Sequence, residues 1–352
     1  MIAALPYALG GPPLRGVLRA CAEDFFVDED LGFAADGAGE HVLLRVEKRG
    51  ANTAWIAREL ARFAGVPAAA VSFAGLKDRH AVARQWFSVH LAGTQEPDWT
   101  AFETAEARVL EAARHRRKLR RGAHAGNRFT LRVREVRGDR DAAVARIERI
   151  AATGVPNYFG EQRFGRGRAN VAQASAMFAA AASAGKRRIP REERSLLLSA
   201  ARAQLFNAVL AERVARGNWN RPLEGEVWML AGSHSIFGPE PLTPELATRC
   251  ADGDIVPTGP LWGSGALRST ATVAALETAV AQAHAPLAAG LAASGLRQER
   301  RALVLRAREL VADWCGAAEL RLSFYLESGC YATVLIRELV DTAAPGSAAL
   351  PD

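Results

Sequence analysis

The sequence predicts an α+β fold in which the two ends of the chain form one domain and the middle is inserted into it. Segments with the period-two alternation of half-buried strands occur before residue 140 and return after residue 300. Between them, residues 154–167 are rich in Gly, Pro and aromatic residues and lack clean periodicity, which indicates a domain boundary. We therefore predict a discontinuous domain of residues 1–152 and 301–352 and an inserted domain of residues 153–300.

The predicted strands are short apolar or alternating runs flanked by turn residues. They are residues 24–29, 41–47, 71–75, 86–91, 126–136, 302–311 and 319–326. The predicted helices have apolar residues at helical spacing; the first follows Asn52 as its N-cap and stops at Gly65, and Ser195 or a neighbour caps a later one. They are residues 53–64, 140–152, 195–216, 270–295 and 329–339. The last dozen residues are expected to form a loose tail.

The charge of the chain favours a polyanionic partner. The 352 residues carry a formal net charge of +7, with a pI of about 9.7, and the cations are clustered in residues 114–121 and again in residues 186–191. Crowded cations repel one another unless something screens them, so contact with phosphate groups is favoured over a merely solvated surface. The candidate contacts to an RNA backbone are Arg114, Arg116, Arg117, Lys118, Arg120 and Arg121.

The cysteines and the hydropathy pattern argue against several other classes. The four cysteines are far apart, with no C-x-x-C pair and no histidine at metal-ligand spacing, so we expect neither a disulfide framework nor a zinc site. No apolar run approaches 18 residues, so we expect no membrane span. No G-x-G-x-x-G follows a strand and no P-loop motif occurs, which disfavours a nucleotide-binding enzyme. A reducing, cytoplasmic environment is the expectation.

The most informative short segment places Asp78 between two cations, Lys77 and Arg79, just after a turn at Gly75. Coulomb attraction from the two cations favours the charged carboxylate, which is then available as a nucleophile or a base. Loops at strand ends commonly carry catalytic groups. The alternative is a helix start, in which Asp78 solvates the first turn.

Six segments in order along the chain closely resemble the TruD family of tRNA pseudouridine synthases. They are E-D-F-F-V-D-E-D-L-G-F (23–33), F-A-G-L-K-D-R-H-A-V (73–82, followed by Gln85 and Trp86), G-N-R-F-T-L (126–131), P-N-Y-F-G-E-Q-R-F-G (156–165), S-A-A-R-x-x-L-F-N (199–207) and S-G-C-Y-A-T-V-L-I-R-E-L (328–339).

The resemblance implies an enzyme that converts uridine 13 in the D arm of tRNA to pseudouridine, without a cofactor or a metal. It implies a pseudouridine-synthase catalytic domain, built on a mixed, mainly antiparallel sheet flanked by helices and interrupted by an inserted α/β TRUD domain. The expected partner is tRNA, and the expected state is a monomer.

The resemblance also implies roles for individual residues. Asp78 becomes the catalytic aspartate, acting on the base, on C1′ or on a ribose proton. From their positions, either Lys77, which is next to Asp78, or Arg19, a few residues before the E-D-F element, is expected to hold it ionised. Four residues are matched to the substrate pocket: Phe25, Asn127, Phe129 and Phe324. From pattern alone a phenylalanine on a strand is more often core, and Asn127 could form a turn with Gly126.

The sequence is also compatible with a second function, and it raises a question about one position near the pocket. A non-catalytic tRNA-binding or RNA-chaperone protein would also show a basic run and stacking aromatics. Glu327 stands where the family commonly has proline, and its charge raises a question about the pocket wall around Phe324.

Overall fold

The computed structural model describes residues 5–182 and 189–342. The predicted basic stretch at residues 186–188 and most of the predicted tail lie outside the described residues. The described chain has an α+β fold and divides into two compact units. One, here called the sheet unit, comprises Pro13–Ile147, Ala307–Ala332 and the segment from Leu339. The other, here called the helical unit, comprises the segment up to Pro12, Glu148–Arg306 and Thr333–Glu338.

The strands and helices are given in chain order. The strands are β1 (Leu14–Leu18), β2 (Phe25–Asp30), β3 (His41–Arg49), β4 (Val71–Phe73), β5 (Val82–His90), β6 (Ala107–His115), β7 (Gly126–Gly138), β8 (Val155–Pro156), β9 (Trp228–Leu230), β10 (Ile236–Phe237), β11 (Ile255–Leu261), β12 (Glu299–Ala302), β13 (Val304–Leu305), β14 (Arg308–Trp314), β15 (Leu320–Glu327) and β16 (Val340–Asp341). The helices are α1 (Thr53–Phe63), α2 (Arg140–Thr153), α3 (Ala169–Ala182), α4 (Arg191–Ala215), α5 (Pro244–Asp252), α6 (Ala271–Ala283), α7 (Ala285–Ala293) and α8 (Ala332–Arg337).

The sheet unit is built on a ten-stranded, mixed and mainly antiparallel sheet. Its main order is β14-β15-β7-β2-β5-β3-β6, with β4 on β5 and with β1 joining β7 to β16. The parallel pairs are β2 with β5 and β1 with β16. The mixed, mainly antiparallel sheet predicted for this part of the chain is therefore present.

Helix α1 covers one face of this sheet. Alternate residues of β3, Val42, Leu44 and Val46, are fully buried in the cluster that also contains Ile56 and Leu60 of α1. Burial of these apolar side chains stabilises the helix and fixes the register of the strand, since a shift by one residue would expose them. The face of the sheet is thus set by the alternation in the sequence.

The helical unit packs around α4. Its buried residues face α3 and α7, and α4 also packs beside the four-stranded sheet of order β10-β9-β11-β12. Asn207 of α4 bonds both main-chain groups of Phe159: its Oδ1 accepts from the Phe159 amide at 2.8 Å, and its Nδ2 donates to the carbonyl at 3.0 Å. Two motifs of the sequence therefore meet in a structural contact.

Several predicted boundaries are wrong for identifiable reasons. The predicted helix at 270–295 is two helices, α6 and α7, because Pro286 lies in the first turn of the second and cannot continue the first. The predicted strand at 302–311 is three strands, because this extended stretch pairs in turn with β11, β8 and β15. The alternation of apolar and polar residues shows which side chains share a face of a strand, but it does not show which strand pairs with it.

Other elements differ in their ends. Helix α4 follows Pro190 rather than a Ser195 cap, and Glu192 and Glu193 favour its first turn instead. Asn52 occupies the N-cap of α1, but its side chain makes no capping hydrogen bond. Helix α8 is shorter than the predicted 329–339. The strands without a counterpart among the predicted ones are β1, β6, β8, β9, β10, β11 and β16. Within residues 5–182 and 189–342, none of the helices combines the length and the apolar character needed to cross a bilayer.

Close packing of α7 on α3 gives a test of the helical unit. A Cβ at Gly290 would overlap the ring of Phe178. Gly290→Ala should therefore lower the free energy of unfolding by roughly 1–3 kcal/mol, although alanine favours a helix by about 1 kcal/mol. Urea unfolding measures the change. Gly11→Ala is the control, since a Cβ there meets nothing within 4 Å; equal stability of both variants would contradict the packing described.

Candidate active site

The loop of residues 74–81, here called the 74–81 loop, joins two antiparallel neighbours, β4 and β5, at one end of the sheet. It contains Asp78, which lies in irregular structure, so the helix-start interpretation of Asp78 is wrong. Three buried or half-buried hydrogen bonds hold the loop. The Gln85 Nε2 donates to the Gly75 carbonyl at 2.6 Å, the Lys77 amide donates to Thr53 Oγ1 at 3.1 Å, and Thr53 Oγ1 donates to Gln85 Oε1 at 2.9 Å.

The carboxylate of Asp78 is paired with the guanidinium of Arg19. The Arg19 Nη2 lies 2.7 Å from Asp78 Oδ2, and the side chains are 27% and 16% exposed, so the pair is shielded but still open to a ligand. The His80 amide donates to Asp78 Oδ1 at 3.0 Å. Charge-assisted contacts of this kind fix the orientation of a carboxylate.

Arg19 reaches Asp78 from a strained backbone. It directly follows β1 and has a φ of 65°, in the left-handed region that non-glycine residues rarely adopt. Its guanidinium also lies over the ring of Phe25, 4.2 Å from the centroid. Such strain costs of order 1–3 kcal/mol and persists where surrounding contacts hold it. At Arg19, the contacts with Asp78 and Phe25 stabilise this strained backbone conformation.

Lys77, the other predicted partner, is paired elsewhere. Its ammonium forms a salt bridge with Glu29, whose carboxylate is fully buried and also accepts from the Trp86 amide at 2.9 Å. Of the two predicted cations, the structure therefore places Arg19 on the Asp78 carboxylate and Lys77 on Glu29. Arg79 is exposed.

A third cation, not predicted from the sequence, lies beneath the loop. Lys48 is 1% exposed, and its Nζ donates to the main-chain carbonyls of Ala51 at 2.8 Å and Asp78 at 2.7 Å. Burial lowers the pKa of Lys48 to about 8, with the charge of Asp78 acting to raise it and that of Lys77 to lower it. The alternation of β3 carried a signal for this residue, because Lys48 continues its buried positions.

Three predicted aromatic residues are in contact with one another. Phe129 stacks on Phe324 with centroids 5.4 Å apart and meets Phe25 edge-on at 6.1 Å. They come from β7, β15 and β2, which are neighbours in the sheet. All three are buried, and Phe324 is only 1% exposed. The rings form a continuous wall that reaches Asp78 through Arg19.

Asn127 and Glu327 lie on opposite faces of that part of the sheet. Asn127 is paired with Leu326 and Glu29, is buried, and has an Oδ1 without a hydrogen-bond partner among the described residues. Glu327 is three residues from Phe324 along one strand, so its side chain points to the face away from Phe324. The charge of Glu327 therefore does not enter the wall of rings.

The predicted basic residues lie at the end of β6 and in the segment between β6 and β7. Arg114 is half-buried and bonds Glu96, whereas the others are exposed, and the guanidinium of Arg121 lies 4.0 Å from the ring centroid of Phe73. Lys118 Nζ donates to the carbonyl of Ala69 at 3.1 Å. In the described part of the chain, no group of three or more His, Cys, Asp or Glu side chains is arranged to hold a metal ion.

Comparison with known proteins identifies the family. The family model of tRNA pseudouridine synthase D (TruD) matches residues 2–179 and 171–339. The chain belongs to the TruD family. A tRNA pseudouridine synthase D of Xanthomonas campestris pv. campestris (strain B100) is 53% identical over 346 residues, covering 96% of this chain and 94% of that protein. One of Aeromonas salmonicida (strain A449) is 49% identical over 341 residues, covering 97% and 95%.

A solved structure supports the fold. The crystal structure of a TruD protein from Methanosarcina mazei superposes with a TM-score of 0.69 at 20% identity and covers 95% of each chain. Three of the six TruD segments lie in the sheet unit, where they supply the 74–81 loop and strands around it, and the segment at 328–339 is divided between the two units. The segments at 156–165 and 199–207 lie in the helical unit.

The anchoring of the 74–81 loop is testable without any assay of function. Thr53→Val keeps the shape of the side chain but leaves the Lys77 amide and Gln85 Oε1 without this partner, at about 1–3 kcal/mol for each buried group. We expect faster hydrogen exchange across residues 75–81, measured by mass spectrometry. Thr248→Val, which removes a hydroxyl from the exposed side of α5, is the control. Unchanged protection in Thr53→Val would show that the loop is held by other contacts.

Proposed function

We propose that this protein converts uridine in tRNA to pseudouridine, at position 13 of the D arm, with Asp78 acting directly on the bound nucleoside. The observation that supports this most is the partly exposed Asp78 carboxylate, fixed by Arg19 beside a wall of aromatic rings. Membership of the TruD family, whose relatives are named tRNA pseudouridine synthase D, supports the reaction and its substrate class.

The reaction is an isomerisation, so its atoms balance within the substrate. The bond between ribose C1′ and uracil N1 breaks, C5 joins C1′, the proton on C5 is lost, and N1 gains one. A carboxylate can start this by attacking the base at C6, by attacking C1′ or by taking a ribose proton. Each route uses the Asp78 oxygen and its neighbouring cations, and none calls on a cofactor or a metal.

The pocket residues have complementary roles in this proposal. A uridine within folded RNA has to be extruded, stacked on an apolar surface and held by its polar edge. Phe129 and Phe25 offer ring surface, and the Asn127 Oδ1 can accept the N3–H of uracil. Phe324 contributes by supporting Phe129, because it is almost completely buried against that ring.

The proposal also assigns the larger parts of the chain. We assign the sheet unit to the discontinuous catalytic domain predicted at 1–152 and 301–352, and the central segment to the inserted TRUD domain predicted at 153–300. The residues up to Pro12 and Thr333–Glu338, predicted for the catalytic domain, group with the helical unit. The exposed basic residues that follow β6 hold the tRNA backbone, which positions the RNA without reading its sequence. We take the enzyme to be a cytoplasmic monomer.

Removal of the reacting charge tests the central claim. Asp78→Asn keeps the size of the side chain but removes the anionic oxygen, so pseudouridine formation should fall by at least about 10³-fold while tRNA binding changes little. Carbodiimide primer extension on unmodified tRNA, with a uridine-13-to-cytidine transcript beside it, measures both site and extent.

Asp313→Asn is the matched control for that change, since Asp313 is an exposed acid paired with Arg321 on the same sheet. Full turnover by Asp78→Asn would remove Asp78 from the chemistry. If the wild-type protein binds tRNA but forms no pseudouridine, the alternative of a non-catalytic RNA-binding protein is favoured instead.

The basic surface predicts a salt effect. Replacing Arg116, Arg117 and Arg120 together by Gln should weaken tRNA binding and reduce the slope of log affinity against log salt by about 0.7–0.9 for each phosphate that is no longer neutralised. The single-turnover rate at saturating enzyme should stay close to wild type, because these residues do not touch the base. Arg58→Gln with Arg62→Gln, on the exposed side of α1, is the control. An unchanged slope in the triple variant would place the RNA elsewhere.

A further inference from the structure

We propose that Lys48 is a positioning residue for the reaction, whose charge and main-chain contact hold Asp78 in its working state, so that loss of the Lys48 charge lowers activity at alkaline pH. This inference rests on the proposed role of Asp78. It assigns a role to a buried residue that contacts the main chain of Asp78.

The contacts of Lys48 point to the loop rather than to general stability. A fully buried ammonium is costly unless it is well bonded, and a salt bridge with a carboxylate is its usual compensation. The hydrogen bonds of Lys48 go instead to two main-chain carbonyls, those of Ala51 and Asp78. One of the two is the carbonyl of the reacting residue itself, so the ammonium fixes where the Asp78 backbone lies.

The residues around Lys48 leave Asp78 and Lys77 as the charged groups with which its ammonium interacts. The residues paired with Lys48 on β5 and β6 are Ala83 and Ala107, which carry no charge. The charges that act on Lys48 are those of Asp78 and Lys77, and Lys77 is itself paired with Glu29. Lys48 and Arg19 thus both contact Asp78: Lys48 bonds its main-chain carbonyl, and Arg19 pairs with its carboxylate.

Other charged groups near this end of β3 are largely paired with one another. A groove that borders Lys48 carries Glu23, Glu47, Arg49, Glu103, Glu106 and Arg108. Arg49 pairs with Glu23, and Arg108 pairs with Glu47.

The pH dependence separates this role from a purely structural one. The pKa of Lys48 is about 8 in the folded chain and 10.5 ordinarily, so the unfolded chain binds more protons between these values. The contribution of Lys48 to stability therefore increases as pH rises from about 8 toward 10.5. Its charge, however, is lost as pH rises through about 8. A fall in activity there cannot come from unfolding caused by Lys48.

The experiment compares the wild-type chain with Lys48→Met and Lys48→Arg in single-turnover pseudouridine formation on unmodified tRNA at saturating enzyme, across neutral and alkaline pH. Wild type should lose activity with a midpoint near the Lys48 pKa of about 8. Lys48→Met should react about 10- to 100-fold more slowly at neutral pH, with unchanged tRNA affinity and without that midpoint. Lys48→Arg stays charged, so whatever rate it retains should not fall near pH 8.

The controls keep the two proposals separate. Arg62→Met removes an exposed cation from α1 and should behave as wild type, and circular dichroism checks folding throughout. A Lys48→Met variant with the wild-type rate, or with the same midpoint near pH 8, overturns the inference. If Lys48→Met does not fold, a wild-type rate that stays constant through pH 8 and above overturns it. Activity in Asp78→Asn rejects the proposed function, whereas an inactive Asp78→Asn beside a fully active Lys48→Met rejects this inference alone.

Discussion

The proposed function requires one carboxylate, that of Asp78, to be charged, oriented and reachable at the end of a sheet. A fully exposed Asp78 would be oriented by little, and a fully buried one would lose its charge or its access. The Arg19 contact at 2.7 Å meets both needs, because it compensates the charge while leaving each side chain partly open. The position of β1, which ends one residue before Arg19, brings the guanidinium to that place.

The two buried cations at the 74–81 loop, Lys77 and Lys48, are compensated in different ways. Lys77 and Glu29 form a buried pair, and breaking such a pair by removing one partner typically costs about 3–5 kcal/mol. Lys48 is satisfied by carbonyl dipoles, which leave its positive charge less compensated. The loop therefore rests on one ion pair that is neutral overall and on one ammonium that is not. Burial accordingly lowers the pKa of Lys48 to about 8.

Much of the fold could be predicted because the signals are local. The alternation of Val42, Leu44 and Val46 sets a strand and its buried face, and Gly65 ends α1 where a positive φ is required. Asp78 was singled out first by its two neighbouring cations and then by the motif resemblance, and its meeting with Arg19 needs the tertiary structure. The partner of Lys77 could not be predicted, because Glu29 lies 48 residues away and only the parallel pairing of β2 with β5 brings it near.

The left-handed backbone of Arg19 sets backbone strain against side-chain contacts at one residue. Glycine adopts a φ of 65° without penalty, so its introduction there would relax the chain while removing the guanidinium from Asp78 and Phe25. In the proposed function, that loss leaves the reacting carboxylate without its cation. A search for stabilising substitutions should therefore leave this position unchanged.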